Sequence, residues 1–156
     1  MDRGGVTEEL LKAAGRMRRV RLGALFPDIS QGEFLALEVI YRYTLIQDKG
    51  SKICVSDLAK NMKIASSAVS RMLHTLEERG LISREVDRRD RRNTYVFLTE
   101  AGRQKHQDAV DTMDDFLKSV VNRMKEEDIR QLIVLWNELA DIIDDELDSR
   151  TKGERR

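Results

Sequence analysis

The spacing of apolar residues switches abruptly from helical to alternating inside one short stretch, and this switch limits the folds open to the chain. Val69, Met72, Leu73 and Leu76 fall at i, i+3, i+4 and i+7 and define one buried stripe of a helix over residues 66–79. Gly80 follows where a helix C-terminus favours glycine. Leu81–Val86 and Thr94–Leu98 then read as two short strands. They are joined by Asp87-Arg88-Arg89-Asp90-Arg91-Arg92-Asn93, a run so charged that it must be a solvent-exposed hairpin tip. Upstream, Ile53–Val55 supports only a brief strand, and Ser56 is placed to cap a two-turn helix over Asp57–Met62. The expected arrangement is a helix pair joined by a tight turn, followed by a hairpin.

The flanks are helical. Residues 7–25 carry Leu10, Ala14, Met17 and Val20 at helical spacing, and Pro27 is expected to end that run. Ser30-Gln31-Gly32-Glu33 has the form of a capping box, in which the serine hydroxyl and the glutamate carboxylate satisfy each other's backbone amides. Phe34, Leu37, Ile40 and Tyr41 follow as an apolar face, and Asp48–Ser51 reads as a loop. Thr99 is the expected cap of a long helix reaching about Met124. A last helix over about 127–147 carries Ile129, Leu132, Ile133, Trp136, Leu139, Ile143 and Leu147, with a frayed polar tail from Ser149 onward. The fold class expected is mainly α with a small β-wing, a single domain over 1–156. Its central lobe covers about 30–98, flanked by N- and C-terminal dimerisation helices at about 7–25 and 100–147.

Charge is distributed unevenly beneath a net charge of zero. Lys52 to Lys105 holds 12 Lys and Arg against 7 Asp and Glu, whereas Asp108 to Asp148 holds 4 against 13. A chain built this way suits one face turned to phosphates and another turned from them. No apolar run is long enough to span a membrane and Met1–Val6 lacks the core of a secretory signal, so a cytoplasmic protein is expected. The single cysteine, Cys54, rules out an intramolecular disulfide, leaving stability to packing.

On the helix at 66–79, Ser67, Ser70, Arg71 and His74 lie opposite the buried stripe. That face is polar, short and mostly uncharged, and Glu77 and Glu78 appear only in the last turn. Small hydroxyl side chains let a helix sit deep in a DNA major groove, with Ser and Arg bonding to base edges or phosphates. Arg88, Arg89, Arg91 and Arg92 on the hairpin tip could reach a phosphate or the electronegative minor groove. Asp87 and Asp90 are expected to pair with these arginines and orient them.

As a set, Asp57-Leu58-Ala59, Val69-Ser70-Arg71, Leu76-Glu77-Glu78-Arg79-Gly80-Leu81-Ile82, Asp90-Arg91-Arg92 and Leu98-Thr99 with Gly102 resemble the MarR regulators. The resemblance implies a winged helix-turn-helix transcriptional regulator, a repressor in most of the family. A homodimer formed by the first and last two helices would bind double-stranded DNA at a pseudo-palindromic operator. Ser66, Ser67, Ser70, Arg71 and His74 would enter the major groove, with Arg92 as the wing arginine and Asp90 orienting the wing. Leu10, Met17, Leu132, Trp136, Leu139 and Ile143 are the expected dimer contacts. Family members commonly respond to a small, often aromatic or phenolic ligand, or to oxidation of a cysteine, and no cofactor or metal is expected. Two positions depart from the family pattern: Lys63 replaces a turn glycine, and Ala65 replaces the Ser or Thr that caps the recognition helix.

Other readings are weaker. Cys54 between Ile53 and Val55 is expected to be a buried structural thiol, His106 a surface residue, and Met17, Met72, Met113 and Met124 core filling. His74 and His106 lie about thirty residues apart with few soft ligands nearby, a poor metal site. No Gly-rich phosphate loop, nucleophile with a nearby base or paired His ligands points to an enzyme. The competing class is a winged-helix protein-interaction module, which four wing arginines argue against.

Overall fold

The structure, a computed structural model, describes residues 3–46, 52–87, 90 and 93–153. Its elements in chain order are α1 (Arg3–Arg18), a 3-10 turn (Leu22–Leu25), α2 (Gln31–Ile46), β1 (Ile53–Cys54), α3 (Val55–Met62), α4 (Ser66–Glu78), β2 (Ile82–Val86), β3 (Thr94–Leu98), α5 (Glu100–Val121) and α6 (Glu126–Gly153). The chain divides into two compact units, Met1–Thr112 and Met113–Arg156, with α5 running from the first into the second.

In the first unit α2, α3 and α4 pack around an antiparallel sheet of order β1-β3-β2. Ile53 stands opposite Val96 on one side of β3, and Ile82 opposite Leu98 on the other. Leu37, Ile40, Leu58, Val69, Leu73, Leu76, Ile53 and Val96 are buried together and form the core. Each contributes about 1.5–3 kcal/mol through removal of its side chain from water. The stripe on α4 is buried as its spacing requires, with Met72 half-buried at its edge. The capping box at α2 also forms: Glu33 N–H donates to Ser30 Oγ at 3.2 Å and Ser30 N–H to Glu33 Oε2 at 2.7 Å. Arg79, just past α4, donates to Glu33 Oε1 at 2.9 Å and to the Asp28 carbonyl, tying the end of α4 to the start of α2.

Several boundaries differ from the sequence reading. The first helix stops at Arg18, not near Leu25, and tightens through i→i−3 bonds from Arg19 and Val20. The 3-10 turn then lowers the chain so that Phe26 and Ile29 enter the core, a tertiary demand that outweighs helix propensity. Helix α3 begins at Val55 with Cys54 as its N-cap, so Ser56 lies inside the helix and is not its cap. Helix α6 continues through Ser149 to Gly153, where fraying was expected; Arg150 pairs with Glu146 at 2.7 Å and extends the helix by an i,i+4 contact. The expected loop at 48–51 lies outside the described residues.

His106 is the clearest correction, since it is 2% exposed and not a surface residue. Gly102, His106 and Ala109 are the buried positions of α5, a face at helical spacing whose members a search for large aliphatic residues passes over. The ring stacks on Tyr41 at 4.4 Å and on Phe34 at 6.0 Å, while Nε2 lies 2.5 Å from Glu38 Oε2. Burial disfavours the charge on Glu38, but hydrogen bonds from His106 and Arg42 outweigh it and hold its carboxyl below the usual carboxylate range. An ionised carboxylate can only accept, so Nε2 of His106 carries the proton it donates. Cys54 is half-buried at the sheet edge instead of buried. Among the four methionines expected in the core, Met72 and Met113 are half-buried, whereas Met17 and Met124 are exposed in the single chain.

Candidate nucleic-acid interface

The turn between α3 and α4 sets the angle of the helix pair. Lys63 closes α3 in the left-handed region at φ 53°, ψ 38°, with its N–H on the Lys60 carbonyl and that of Ile64 on the Ala59 carbonyl. A side chain in this conformation costs about 1 kcal/mol relative to glycine. Lys63→Gly is therefore expected to stabilise the chain by about 1 kcal/mol, read as a higher denaturant midpoint at unchanged slope. An equal or lower midpoint would mean that the lysine stem contributes packing that offsets the strain.

Helix α4 starts at Ser66 with Ala65 as N-cap and no side-chain cap bond, which leaves its first amides for solvent or a ligand at a cost of about 1 kcal/mol. Ser66, Ser67, Ser70, Arg71 and His74 are all exposed, as the face opposite the buried stripe requires. His74 Nε2 stands 3.4 Å from Glu78 Oε1. Arg84 on β2 binds the Glu77 carboxylate through Nε, at 2.8 Å, and Nη2, and this hydrogen bonding outweighs burial to hold Glu77 below its ordinary pKa. The two acids of α4 are thus each beside a basic group at the C-terminal end of the helix.

At the base of the wing, Asp87 N–H donates to the Asn93 carbonyl at 2.8 Å and Asn93 N–H to the Asp90 carbonyl at 2.9 Å. The Asp87 carboxylate accepts the Tyr95 hydroxyl at 3.0 Å and the Asp90 N–H at 3.3 Å, closing the turn. The hydrogen bond to Asp87 raises the Tyr95 pKa. Sequence reasoning missed this clamp, because Tyr95 gives no signal until β2 and β3 are paired in register. Arg88, Arg89, Arg91 and Arg92 lie outside the described residues, as does their pairing with Asp87 and Asp90.

Between the outer face of α4 and the wing base lies a recess of about 260 Å³, lined by Cys54, Val55, Ser56, Ser70, Arg84, Asn93 and Thr94. Of these, only Ser70 is among the residues expected from the sequence to contact DNA. Cys54 Sγ donates to Asp57 Oδ2 at 3.0 Å and lies 3.0 Å from Ser56 Oγ, while Lys60 Nζ binds the other oxygen of Asp57 at 3.1 Å.

The expected dimer contacts sit on apolar surfaces left open in the single chain. On α1, Leu10 is 48% and Met17 60% exposed; on α6, Leu132 is 49%, Trp136 56% and Ile143 48% exposed, with Leu139 half-buried. Among the described residues no group of three or more His, Cys, Asp or Glu could hold a metal ion. No described helix is long and apolar enough to cross a membrane.

A helix pair with its second helix outward, followed by a hairpin on a three-stranded sheet, defines a winged helix-turn-helix protein. The MarR family model matches residues 29–94, and the chain carries a MarR-family domain. It is 33% identical over 105 residues to the HTH-type transcriptional regulator YdgJ of Bacillus subtilis, an alignment covering 67% of this chain and 60% of that protein. The fold is similar to that of a MepR variant of Staphylococcus aureus, at TM-score 0.68 and 20% identity over 89% of this chain and 97% of that one. It is also similar to FabT of Streptococcus pneumoniae, determined in complex with DNA, at TM-score 0.64 and 24% identity over 92% and 99% of the two chains.

Proposed function

We propose that the protein is a transcriptional regulator whose homodimer binds a pseudo-palindromic DNA operator and acts as a repressor. The observation that carries this reading is the outer face of α4. Ser66, Ser67, Ser70, Arg71 and His74 are all exposed there, and the helix's only carboxylates are at its far end. Such a face fits a major groove, and four arginines on the adjoining hairpin supply charge for the backbone or the minor groove. The similarity to YdgJ and to the DNA-bound FabT supports the same reading. Release is assigned to a small aromatic or phenolic molecule. A hollow of about 170 Å³ sets an apolar wall of Leu25, Phe26, Ile29 and Ala109 beside Asp108 and a Lys105–Asp28 ion pair at 3.4 Å, which suits one ring with a polar substituent.

Binding-site selection from a random double-stranded DNA library tests the proposal. An inverted repeat with half-site centres about 10 base pairs apart is the expected outcome. Arg92→Ala should then weaken binding to selected and unrelated duplexes alike and flatten the salt dependence, whereas Arg71→Ala should alter the sequence selected. No enrichment at low salt would favour a winged helix that binds protein, and an unchanged affinity in Arg92→Ala would remove the wing from the interface.

A further inference from the structure

The recess between α4 and the wing gathers hydrogen-bonding groups from four separate elements. Ser56 comes from α3, Ser70 from α4, Arg84 from β2 and Thr94 from the start of β3, with Asn93 just before it. Its lining contains three hydroxyls, one amide and one guanidinium, and no carboxylate. Acids adjoin its walls, each with partners: Asp57 binds the Cys54 thiol and Lys60, Glu77 binds Arg84, and at the wing base Asp87 and Asp90 bond the Asn93 backbone, Asp87 also accepting the Tyr95 hydroxyl. Arg84 holds Glu77 through Nε and Nη2, and the recess sets several neutral donors beside its guanidinium, a set that suits a tetrahedral oxyanion. Resting on the DNA-binding reading, its position adds a geometric argument. If α4 lies in a major groove and the wing in the adjacent minor groove, one phosphodiester strand separates the two grooves and must pass over the protein surface between them. The recess occupies that surface.

We propose that this recess seats one backbone phosphate of the operator, bound by Ser56, Ser70, Arg84, Asn93 and Thr94. Ser70 then serves the phosphate and not a base edge, which leaves Arg71 and the N-terminal serines of α4 to read sequence. Phosphate contacts fix register on the duplex without reading it, so losing one weakens all sequences by a similar factor.

The test uses the full chain and measures affinity for the selected site and for an unrelated duplex. Ser56→Ala and Ser70→Ala are expected to weaken both by about three- to tenfold, with the ratio between them unchanged. Ser56→Asp, which sets a negative charge facing the phosphate, is expected to weaken both by at least about tenfold. These side chains are exposed, and melting curves matching the native chain would show that the variants fold. Replacing single phosphates of the operator by neutral methylphosphonates gives an independent readout. One position per half-site should weaken the native chain yet have little further effect on Ser56→Ala. Native-like binding by Ser56→Asp, or a changed sequence preference in Ser70→Ala without a uniform loss, would overturn the seat while DNA binding by the native chain stood. A native chain that bound no duplex at low salt would overturn both.

Discussion

Gly102→Ala is expected to destabilise the chain by roughly 3 kcal/mol, at the upper end of overpacking costs, and to lower its melting temperature by about 10 °C. A Cβ at this position would meet the Leu81 carbonyl, with the oxygen well inside contact distance and the carbon at 2.9 Å. The obstacle is backbone, so no rotamer change relieves it. Leu81 cannot readily move, because its oxygen accepts the Thr99 N–H at 3.1 Å. Thr99 Oγ1 in turn donates to the Gly80 carbonyl at 2.7 Å and accepts the Gly102 N–H at 3.0 Å. The start of β2 and the start of α5 are therefore locked by one small cluster in which a missing side chain is essential. Gly15→Ala is the control: nothing lies within 4 Å of its added Cβ, and helix propensity should make it neutral or stabilising by up to about 1 kcal/mol. Denaturant unfolding of both variants reads the difference, and a Gly102→Ala chain as stable as the native one would show that α5 can be displaced without cost.

The second large effect concerns the proposed dimer. Trp136→Glu is expected to convert the protein from dimer to monomer and to weaken operator binding by about 10² to 10⁴, the advantage of engaging two linked half-sites. Trp136 is 56% exposed in the single chain, and Leu132 and Ile143 are open on the same helix at 49% and 48%. So much apolar surface on one long helix is unusual for a monomer and fits a second copy of the chain. Because the substituted side chain is exposed, the first unit should melt as before. Deleting the residues beyond Met124 should give the same loss of association or an unfolded chain. Sedimentation or light scattering across a concentration series settles the matter: a Trp136→Glu protein that remained dimeric would place the interface elsewhere.

Where local rules sufficed, the sequence was a reliable guide. The stripe Val69, Leu73 and Leu76 is buried, Thr94–Leu98 is a strand, and Ser30 with Glu33 forms the capping box, because each depends on neighbours within about four residues. Thr99 caps α5 for the same reason. Elements whose form depends on distant groups were misjudged. Helix α1 ended early because Phe26 and Ile29 had to reach the core, and Cys54 took the N-cap of α3 because β1 pairs with β3 up to that residue. His106 was misplaced because a lone histidine in a helix carries no mark of Glu38, which is 68 residues away.

By itself the sequence determined that the chain would form a helix pair with a hairpin behind it. It also determined that one face of α4 would be free of acids and that the C-terminal helices would carry more apolar surface than a single core consumes. These are consequences of periodicity and charge order, which act along the chain. Only the tertiary structure decided that Gly102 must lack a side chain, that Asp87 and Tyr95 close the wing, and that Ser56, Ser70, Arg84, Asn93 and Thr94 line one recess. Each of those depends on which residues distant in sequence are brought within a few ångströms, and that is fixed by the packing of elements against one another rather than by any element alone.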